Sequence, residues 1–325
     1  MELSHILLLA GALVASALGA RIFVLGLEDH DVWSISVYHG TDPLRLGPHP
    51  TYRARPALEA ADIRDVSASF VADPFLVRSA GQWLMFFEVF NASARRGEIA
   101  VASSPDGVAW TYDRTVLREP FHLSYPYVFQ SDGTYYMIPE TGQAGEARLY
   151  RCSAFPYEWR FERVILAGKH LDPSVVKFDG RWWLFSQRNG QDLVLHVAEH
   201  IEGPWIEHRC SPVVRGSIST TRPGGRLLQT GGRLIRFAQD GDVTYGRRLR
   251  AFEIEELTME TYRERELPES PILDASGCGW NADGMHHLDA LEMTDGAWIA
   301  AVDGKRIGKH FNWRRGVRRI AGFRV

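Results

Sequence analysis

Cysteine is scarce in this chain, with three residues in 325, at Cys152, Cys210 and Cys278. They lie far apart in no metal-ligand spacing, and their odd number argues against a disulfide framework. The chain also lacks a Walker-type phosphate loop, a dinucleotide-binding glycine fingerprint and a local nucleophile motif. These absences remove the usual sequence signs of nucleotide, cofactor and structural metal binding.

Long apolar runs are lacking as well. The run from Ile6 to Gly19 is too short to span a bilayer comfortably. Its flank carries Glu2 and neither Lys nor Arg, unlike the usual signal peptide, although Ala17 and Gly19 suit a cleavage point. We assign residues 1–25 to an apolar N-terminal segment that serves as signal or anchor, with a mis-assigned start or an upstream-domain remnant as alternatives. The expectation is an exported or membrane-associated protein, and a cytoplasmic one stays open.

Acidic residues are missing from the end of the chain. From Gly304 onward there are eight Lys or Arg residues and no Asp or Glu, with apolar side chains between them. Without these eight, the 37 basic residues fall to 29 against 40 acidic ones, so nucleic acid is not an expected partner of the acidic body. Residues 305–325 are predicted to be a basic tail, either solvated or lying on an anionic membrane surface or acidic polymer.

What the chain does contain is a repeated unit. Its clearest copy begins at Val71 and reads VADPFLVRSAGQWLMFFE: a polar residue beside proline, an apolar strand, a glycine turn, an aromatic strand and a closing carboxylate. Four further copies follow, and their opening residues lie 52, 47, 50 and 65 positions apart. The opening and closing residues are Asp73 and Glu88, Tyr125 and Glu140, Asp172 and Gln187, Arg222 and Gln239, and His287 and Asp303. A period of about 50 residues with several strands per unit indicates a radial array of β-sheets.

Each copy predicts a β-hairpin, since two apolar runs flank a glycine turn. A third strand, and an outer strand that carries an aromatic residue, follow most of the hairpins. The alternating segment from Val32 to Tyr38 has no hairpin of its own, and the last copy lacks its outer strands. We therefore predict an all-β fold, a five-bladed β-propeller over residues 30–304, in which the N-terminal strand completes the last blade and closes the ring.

The ends of the hairpins form the candidate site. Antiparallel pairing places the opening residue of each copy beside its closing residue, so five pairs are expected around one mouth of the central channel. Crowded carboxylates cannot all ionise at their usual pKa, and glycosidic bond hydrolysis needs one protonated carboxyl facing one carboxylate. The candidate catalytic residues are Asp73, Glu88, Glu140 and Asp172. The candidate substrate-binding residues are His122, Tyr125, Gln187, Arg222, Gln239, Asp240, Trp280, His286, His287 and Asp303.

No cofactor is predicted from these patterns, and no residue is assigned as a metal ligand. Arg222 can hold a carboxylate ionised or grip an anionic group of the ligand. Tyr125 and Trp280 can stack on sugar rings. His286 and His287 can donate to hydroxyl groups, and a channel metal beside them stays open as an alternative.

Several of these segments carry a resemblance to known families. The stretches ADPF, EPFHLSYPYVF, YYMIPE, LDPS, DGRWWLF, RFAQD and GMHHLD resemble the propeller domain N-terminal to the transferase domain of plant glucosamine inositolphosphorylceramide transferases, and its bacterial relatives. More broadly, DP openings before an aromatic strand look like the five-bladed propellers of family 43 and related glycoside hydrolases. The resemblance covers roughly residues 30–304 and implies a carbohydrate-active protein.

The resemblance to family 43 implies roles only where residues match. In that family an Asp of the first blade is the base, an Asp of the second tunes the pKa, and a Glu of the third is the acid. Asp73 matches the base, whereas Tyr125 stands at the second position and the third blade closes with an amide. The acid role then passes to Glu140 or Glu88, with Asp172 tuning the pKa or binding a hydroxyl group.

Three functions stay open from the sequence. The first is a glycoside hydrolase-like enzyme that acts by carboxylate acid–base chemistry in the propeller channel. The second is a non-catalytic module that recognises a glycan or glycolipid for a glycosyltransferase or envelope polysaccharide pathway; the incomplete catalytic match, the apolar start and the basic tail favour it. The third is a scaffold that uses its rim for protein partners. The expected chain is a monomer with a carbohydrate or glycolipid ligand.

Overall fold

The computed structural model describes residues 27–311, together with Ala20 and Val24. The sequence predictions for residues 1–25 and for the tail beyond residue 311 otherwise lie outside these described residues. Residues 27–311 contain β-strands, four short 3-10 helices and no α-helix. The 3-10 helices are Pro50–Tyr52, Ala60–Asp62, Gly142–Ala144 and Gly279–Asn281. No helix among the described residues has the length and apolar character needed to cross a membrane.

The chain divides into two compact units. Residues 33–306 form the larger unit, which is the propeller. In the described part of the smaller unit, residues 27–32 and 307–311 are strand residues, and Lys309 forms an ion pair with Asp29.

Five sheets form the blades of the propeller, and we number the strands along the chain. The first two strands, which belong to the last blade, are β1 (Leu27–Gly40) and β2 (Gly47–Pro48). Blade I contains β3 (Ala68–Ser79), β4 (Gln82–Asn91), β5 (Arg96–Ser104) and β6 (Thr111–Leu117). Blade II contains β7 (Ser124–Ser131), β8 (Thr134–Glu140), β9 (Glu146–Ala154) and β10 (Glu158–Ala167). Blade III contains β11 (Leu171–Phe178), β12 (Arg181–Arg188), β13 (Asp192–Ala198) and β14 (Ile206–Glu207).

The last two blades depart from this simple order. Blade IV contains β15 (Arg222–Pro223), β16 (Leu228–Thr230), β17 (Arg233–Asp240), β18 (Arg248–Leu257), β19 (Tyr262–Glu266) and β20 (Leu273–Asp274). Blade V contains β21 (Leu288–Glu292) and β22 (Trp298–Phe311), completed by β1 and β2. Its strand order is β2-β1-β22-β21, so the predicted closure of the ring by the N-terminal strand is confirmed. β22 continues to Phe311, so residues 305–311, which the sequence assigned to the tail, belong to a strand.

The hairpin turns confirm the glycine positions of the repeat. Four of the five repeated hairpins place two consecutive turn residues at positive φ, the backbone of a type I′ turn. These turns are Ala80-Gly81, Asp132-Gly133, Asp179-Gly180 and Gly231-Gly232. A type I′ turn matches the right-handed twist of the flanking strands, and it fixes the register at the far end of each hairpin.

A β-bulge marks the opening of the first three blades. In blade I, Ala72 pairs with Glu88 and the next pair is Phe75 with Phe86, so one extra residue lies on the inner strand. Asp73, Tyr125 and Asp172 occupy equivalent bulges at φ 54°, 47° and 48°, in the left-handed region. Each precedes a proline, which disfavours helical backbone, so this conformation is strained and the surrounding ladder must hold it. A bulge re-aims a side chain, and here it re-aims the opening residue of each blade.

The core lies between the blades. Among residues 33–306, five clusters of buried apolar side chains join neighbouring blades, and the cluster between blades II and III also contains Phe75 of blade I. The predicted outer-strand aromatics pack there: Trp159 between blades I and II, Trp205 between II and III, and Tyr262 between III and IV. The aromatic content of the outer strands therefore serves mainly to pack blade against blade.

Candidate functional site

The predicted pairs meet at one end of the hairpins. In the first three blades the closing residue pairs across the ladder with the residue just before the opening one. These pairs are Ala72 with Glu88, Ser124 with Glu140, and Leu171 with Gln187. Arg222 pairs directly with Gln239 in blade IV. The bulge explains the offset of one residue, since the opening side chain leaves the ladder at that point.

A cavity of about 210 Å³ opens where these pairs meet. Its ionisable lining includes Asp73, Glu88, His122, Glu140, Arg222 and His286. Its aromatic lining includes Trp33, Phe70, Phe90 and Tyr245. Carboxylates from two blades therefore share one concave space with aromatic walls.

Asp73 joins blade I to blades II and V at the cavity. Its backbone N–H donates to Asp303 Oδ2 at 3.2 Å, and its own Oδ2 accepts from the Tyr125 N–H at 3.2 Å. Its Oδ1 is buried without a hydrogen-bond partner among the described residues, and lies 3.9 Å from both His286 Nε2 and His287 Nδ1. Burial raises the pKa of Asp73 to about 7, against the lowering effect of His286. This carboxyl can therefore gain or lose a proton near neutral pH.

Glu88 faces His122 across the cavity. The Gly97 N–H donates to His122 Nδ1 at 2.8 Å, so the neutral ring carries its proton on Nε2, which lies 3.5 Å from Glu88 Oε1. Burial and the neighbouring Asp73 raise the pKa of Glu88 well above its ordinary value. Burial lowers the pKa of His122. Both groups therefore favour their uncharged forms.

Arg222 connects two carboxylates from neighbouring blades. Its Nε donates to Asp172 Oδ2 at 2.6 Å, and its Nη2 lies 3.7 Å from Glu140 Oε2. Gln239 Nε2 also donates to Asp172 Oδ2, at 2.7 Å. Burial raises the pKa of Glu140 to about 7, with the Asp172 charge adding to the rise and Arg222 opposing it. Asp172 is thus held by two donors, whereas Glu140 keeps a carboxyl that exchanges its proton near neutral pH.

Asp303 is a fully buried acceptor behind the cavity. It accepts the backbone N–H groups of Asp73, His286 and His287, and the Nδ1–H of His286 at 2.8 Å. Burial acts to raise the pKa of Asp303, but His286 and the donors outweigh it and hold the pKa below its usual range. Burial acts to lower the pKa of His286, but the Asp303 charge outweighs it and the pKa rises. The pair therefore favours a carboxylate next to a donor imidazole.

His287 is fixed by packing under the cavity. Its Nε2 donates to the Pro74 carbonyl at 2.9 Å, and its ring meets Phe75 and Tyr125 edge-on at 4.7 and 5.3 Å. Burial lowers the pKa of His287 to about 4. It is a neutral side chain whose Nδ1 points toward Asp73, and it does not line the cavity.

Three other residues predicted to bind substrate lie away from the cavity. Tyr125 is fully buried, with its ring edge-on to Phe75 and His287 and its hydroxyl bonded to the backbone of Gly225. Trp280 packs into the cluster between blades IV and V. Asp240 forms an ion pair with Arg250 at 2.7 Å. Packing and charge pairing therefore explain where these three side chains lie, and we assign no ligand contact to them.

A second cavity of about 240 Å³ adjoins the first. Gln187 and Gln239 line it, while Arg222 and Tyr245 line both cavities. Gln187 also donates to Thr221 Oγ1 at 2.9 Å. The two amides thus lie beside the acid-lined cavity and not within it.

Sequence reasoning missed the four aromatic residues that line the cavity, which are Trp33, Phe70, Phe90 and Tyr245. Tyr245 lies in the loop between β17 and β18, and its hydroxyl is 3.2 Å from His286 Nε2. Trp33 stacks on His286 with the ring centres 4.1 Å apart. This loop lies outside the repeated hairpin, so the sequence repeat could not predict that Tyr245 reaches the site. Trp33 is the second residue of the predicted closing strand, Val32 to Tyr38, and the predicted place of that strand in the last blade was the available signal.

One cluster among the described residues has the composition to hold a metal ion. Asp73, His286 and Asp303 each offer a ligand atom, and these atoms lie within 4.8 Å of one another. Both ring nitrogens of His286 already have partners, Asp303 at Nδ1 and Tyr245 at Nε2. An ion bound here has to displace one of those two contacts.

The fold and the site define a class, the five-bladed β-propellers with an acid-lined cavity at one mouth of the channel. A solved structure with this fold is beta-1,2-mannobiose phosphorylase from Listeria innocua, with a TM-score of 0.58 over 83% of this chain and 96% of that one. The two sequences are 14% identical, so the likeness establishes the fold alone.

The family follows from the sequence comparison. The family model described as "Glucosamine inositolphosphorylceramide transferase 1, N-terminal" matches residues 27–305, and the chain belongs to this family. Glucosamine inositolphosphorylceramide transferase 1 of Oryza sativa subsp. indica is 36% identical over 318 residues, and that of Arabidopsis thaliana is 34% identical over 320. Each match covers 90% of this chain but only 42% and 41% of those proteins, so the chain spans less than half of their length.

Proposed function

We propose that the propeller binds a glycan at the acid-lined cavity and cleaves a glycosidic bond by carboxylate acid–base chemistry. The observation that carries the proposal is that Asp73 and Glu140 share one cavity and both have a pKa raised to about 7. A general acid or base works best when its pKa lies near the operating pH. The relatives are glucosamine inositolphosphorylceramide transferases and the structural neighbour is a mannobiose phosphorylase, and both names also favour a sugar ligand.

The roles follow from the contacts. Asp73, whose Oδ1 has no partner among the described residues, removes the proton of an attacking water. Glu140 or Glu88, in its protonated form, gives a proton to the departing glycosidic oxygen as the bond to the anomeric carbon breaks. Asp172 and Arg222 hold each other in place, and this pair sets the charge next to Glu140.

The ligand contacts follow from the free surface of the cavity. The His122 Nε2–H and the Arg222 guanidinium face it as donors to sugar oxygens. Tyr245, which is 46% exposed, offers a ring surface against which the apolar face of a sugar can pack. We propose a glycan or glycolipid as the ligand of a monomeric propeller.

A glycan screen with a matched pair of variants tests this function. Asp73→Asn should lower the turnover of any glycan cleaved by the wild type by roughly 10²–10⁴-fold, the usual share of a general acid or base, while leaving binding intact. The control is Asp106→Asn, an exposed aspartate in a blade I loop, which should leave turnover unchanged. Unchanged turnover in the Asp73 variant would remove Asp73 from the mechanism.

A second candidate function is glycan or glycolipid recognition without catalysis. It is favoured by the family match, which is to an N-terminal region covering less than half of proteins named for transfer. In this case the screen would return glycans that bind the wild type and Asp73→Asn equally, with no cleavage of any of them. The two candidates thus give opposite results in one experiment.

We also propose that the basic tail beyond β22 contacts an anionic membrane surface. Its charge and its interleaved apolar residues support this. Cosedimentation with vesicles rich in phosphatidylserine, compared between the full chain and one ending at residue 311, tests the proposal. Equal binding of the two chains would contradict it.

A further inference from the structure

Three side chains beside the cavity form a chain of hydrogen bonds. The Tyr245 hydroxyl lies 3.2 Å from His286 Nε2, and His286 Nδ1 lies 2.8 Å from Asp303. Asp303 is 0% exposed and accepts three backbone N–H groups as well as the ring. This series of hydrogen bonds therefore begins at the buried carboxylate of Asp303 and ends at the exposed phenol of Tyr245.

The hydrogen-bond partners of Asp303 and His286 determine which atom donates each proton. Asp303 accepts every bond it makes, so His286 Nδ1 donates to it and the neutral ring keeps its lone pair on Nε2. That lone pair is the acceptor for the Tyr245 hydroxyl proton. A hydroxyl next to a base that a third, acidic group orients is the arrangement that activates a nucleophile in unrelated hydrolases.

Neighbouring residues hold His286 and Tyr245 in place. His286 stacks on Trp33 with the ring planes 20° apart. Lys305, which is 3% exposed, donates from Nζ to the Tyr245 carbonyl at 2.6 Å. The Arg222 guanidinium lies 5.2 Å from the centre of the Tyr245 ring, and its charge opposes the rise in the pKa of Tyr245 that burial and the neighbouring carboxylates cause. The Tyr245 ring remains 46% exposed, so it is open to a ligand.

Tyr245 stands at the border between the two cavities. The cavities have volumes of about 210 and 240 Å³, and both are lined by Tyr245 and Arg222. Each is smaller than the roughly 300–1,000 Å³ of a typical ligand pocket, so a ligand of ordinary size has to cross this border. The Tyr245 hydroxyl, 3.2 Å from His286 Nε2, faces the first of these cavities, which His286 also lines.

We propose that Tyr245 is a catalytic nucleophile, activated by His286 and oriented through Asp303, that attacks an electrophilic carbon bound at the border of the two cavities. The identity of that carbon as a glycosyl carbon rests on the proposed function. In the attack, the Tyr245 oxygen bonds to the anomeric carbon while the bond to the leaving oxygen breaks. His286 Nε2 takes the phenol proton, and protonated Glu140 gives its proton to the leaving oxygen.

The second half of the reaction restores the enzyme. Water attacks the same carbon, Asp73 takes one water proton, and the carbon–oxygen bond to Tyr245 breaks. His286 returns its proton to the Tyr245 oxygen, and exchange with solvent restores Asp73 and Glu140. The mechanism predicts retention of configuration at the anomeric carbon, because two displacements occur there.

Phenylmethanesulfonyl fluoride tests the activation of Tyr245 without any glycan. In this reaction the phenol oxygen bonds to sulfur, fluoride leaves, and the phenol proton passes to the base. Tyr157 is the internal control, since it is 42% exposed and its hydroxyl donates to Asp113 at 3.3 Å without a histidine. Labelling of the two tyrosines in one wild-type sample is read by peptide mass spectrometry.

The expected result is labelling of Tyr245 roughly 10²-fold faster than Tyr157, the lower end of what a positioned base supplies. His286→Phe keeps a ring against Trp33 and should reduce Tyr245 to the rate of Tyr157. Equal rates in the wild type would overturn the proposal, even if the variant fails to fold. An unchanged rate of Tyr245 labelling in the His286→Phe variant would also overturn the proposal, provided that this variant shows a cooperative melting transition. If this test fails but the glycan screen succeeds, Tyr245 is not the nucleophile, and the proposed acid–base cleavage by the cavity carboxyls still stands.

Discussion

At the scale of single residues, the site depends on three opening side chains held in a left-handed backbone. Asp73, Tyr125 and Asp172 share this conformation, yet only Asp73 lines the acid-lined cavity. Tyr125 is held by the hydrogen bond from its hydroxyl to the Gly225 carbonyl, and Asp172 is held by the Arg222 guanidinium. The sequence predicted the place of each residue, because the hairpin fixes it. It did not predict the contact of each side chain, because that depends on the neighbouring blade.

The first prediction concerns stability and pH. The pKa of Asp73 is raised from 3.8 to about 7, so the folded chain holds this proton more tightly than the unfolded chain. The contribution of Asp73 to stability is then fully present below pH 3.8 and is lost as the pH rises to about 7. Asp73→Asn, which also suits a positive φ, should therefore melt at a higher temperature than the wild type above pH 7, with the gap closing in acid.

Calorimetry at several pH values checks this, and Asp106→Asn is the control of opposite sign. Backbone N–H groups of the Asp106 turn lower the pKa of its carboxyl, so Asp106 stabilises the fold above its usual pKa and loses that effect in acid. If Asp73→Asn has a lower melting temperature than the wild type at pH values above 7, the Asp73 carboxyl is not destabilised by burial and its pKa is not raised.

The second prediction concerns the pair of Asp172 with Arg222. Asp172→Asn removes the charge that Arg222 Nε meets at 2.6 Å and leaves the guanidinium without its main partner. The expected loss in the free energy of unfolding is on the order of 2 kcal/mol, below that of a fully buried pair because Arg222 is 23% exposed. Urea denaturation measures it. A loss near zero would mean that Glu140 replaces Asp172 as the partner.

At the scale of elements, the repeat predicted the hairpins, and the bulges explain how they serve the site. The spacing from opening residue to turn glycine is constant in the first three copies and two residues longer in the fourth. In blade IV the chain leaves the ladder between β15 and β16, where Gly225 bridges to Leu288 of blade V and Arg226 pairs with Asp289 at 2.8 Å. The two extra residues therefore join blades IV and V, a contact between distant segments that the local pattern did not encode.

The third prediction compares two glycines of that blade. A Cβ on Gly225, at φ 140°, would lie 1.8 Å from the Leu288 carbonyl oxygen, whereas Gly232, at φ 75°, has open space around it. Gly232→Ala should cost about 1–2 kcal/mol for its left-handed backbone. Gly225→Ala should cost clearly more, because the bridge between the blades must also open. Equal losses in urea denaturation would show that this close approach does not occur.

At the scale of the whole propeller, the fold of residues 33–306 depends on closing the ring with a strand from the start of the chain. β1 lies between β2 and β22 in blade V, and Ile35 on β1 is 0% exposed in the cluster between blades V and I. The sequence predicted this closure from a simple imbalance, one unpaired strand at the start and missing strands at the end. It did not predict Tyr245, which reaches the site on a loop with no repeat to mark it.

The fourth prediction tests the closure. Ile35→Ala should reduce the free energy of unfolding by about 2–5 kcal/mol, as for other buried aliphatic truncations. Ile206→Ala, at a side chain that is 62% exposed, is the control and should change it by no more than about 0.5 kcal/mol. Similar losses for the two variants would mean that the first strand contributes little to the ring.

The titration of the side-chain carboxyls by carbon-detected NMR tests the account most directly. It follows Asp73 and Glu140 without knowledge of the ligand, and single Asn and Gln variants assign their signals. We expect both carboxyls to titrate near 7, far above the ordinary values of 3.8 and 4.5. If both titrate at those ordinary values, the acids are not gathered in a buried cavity and the acid–base proposal fails.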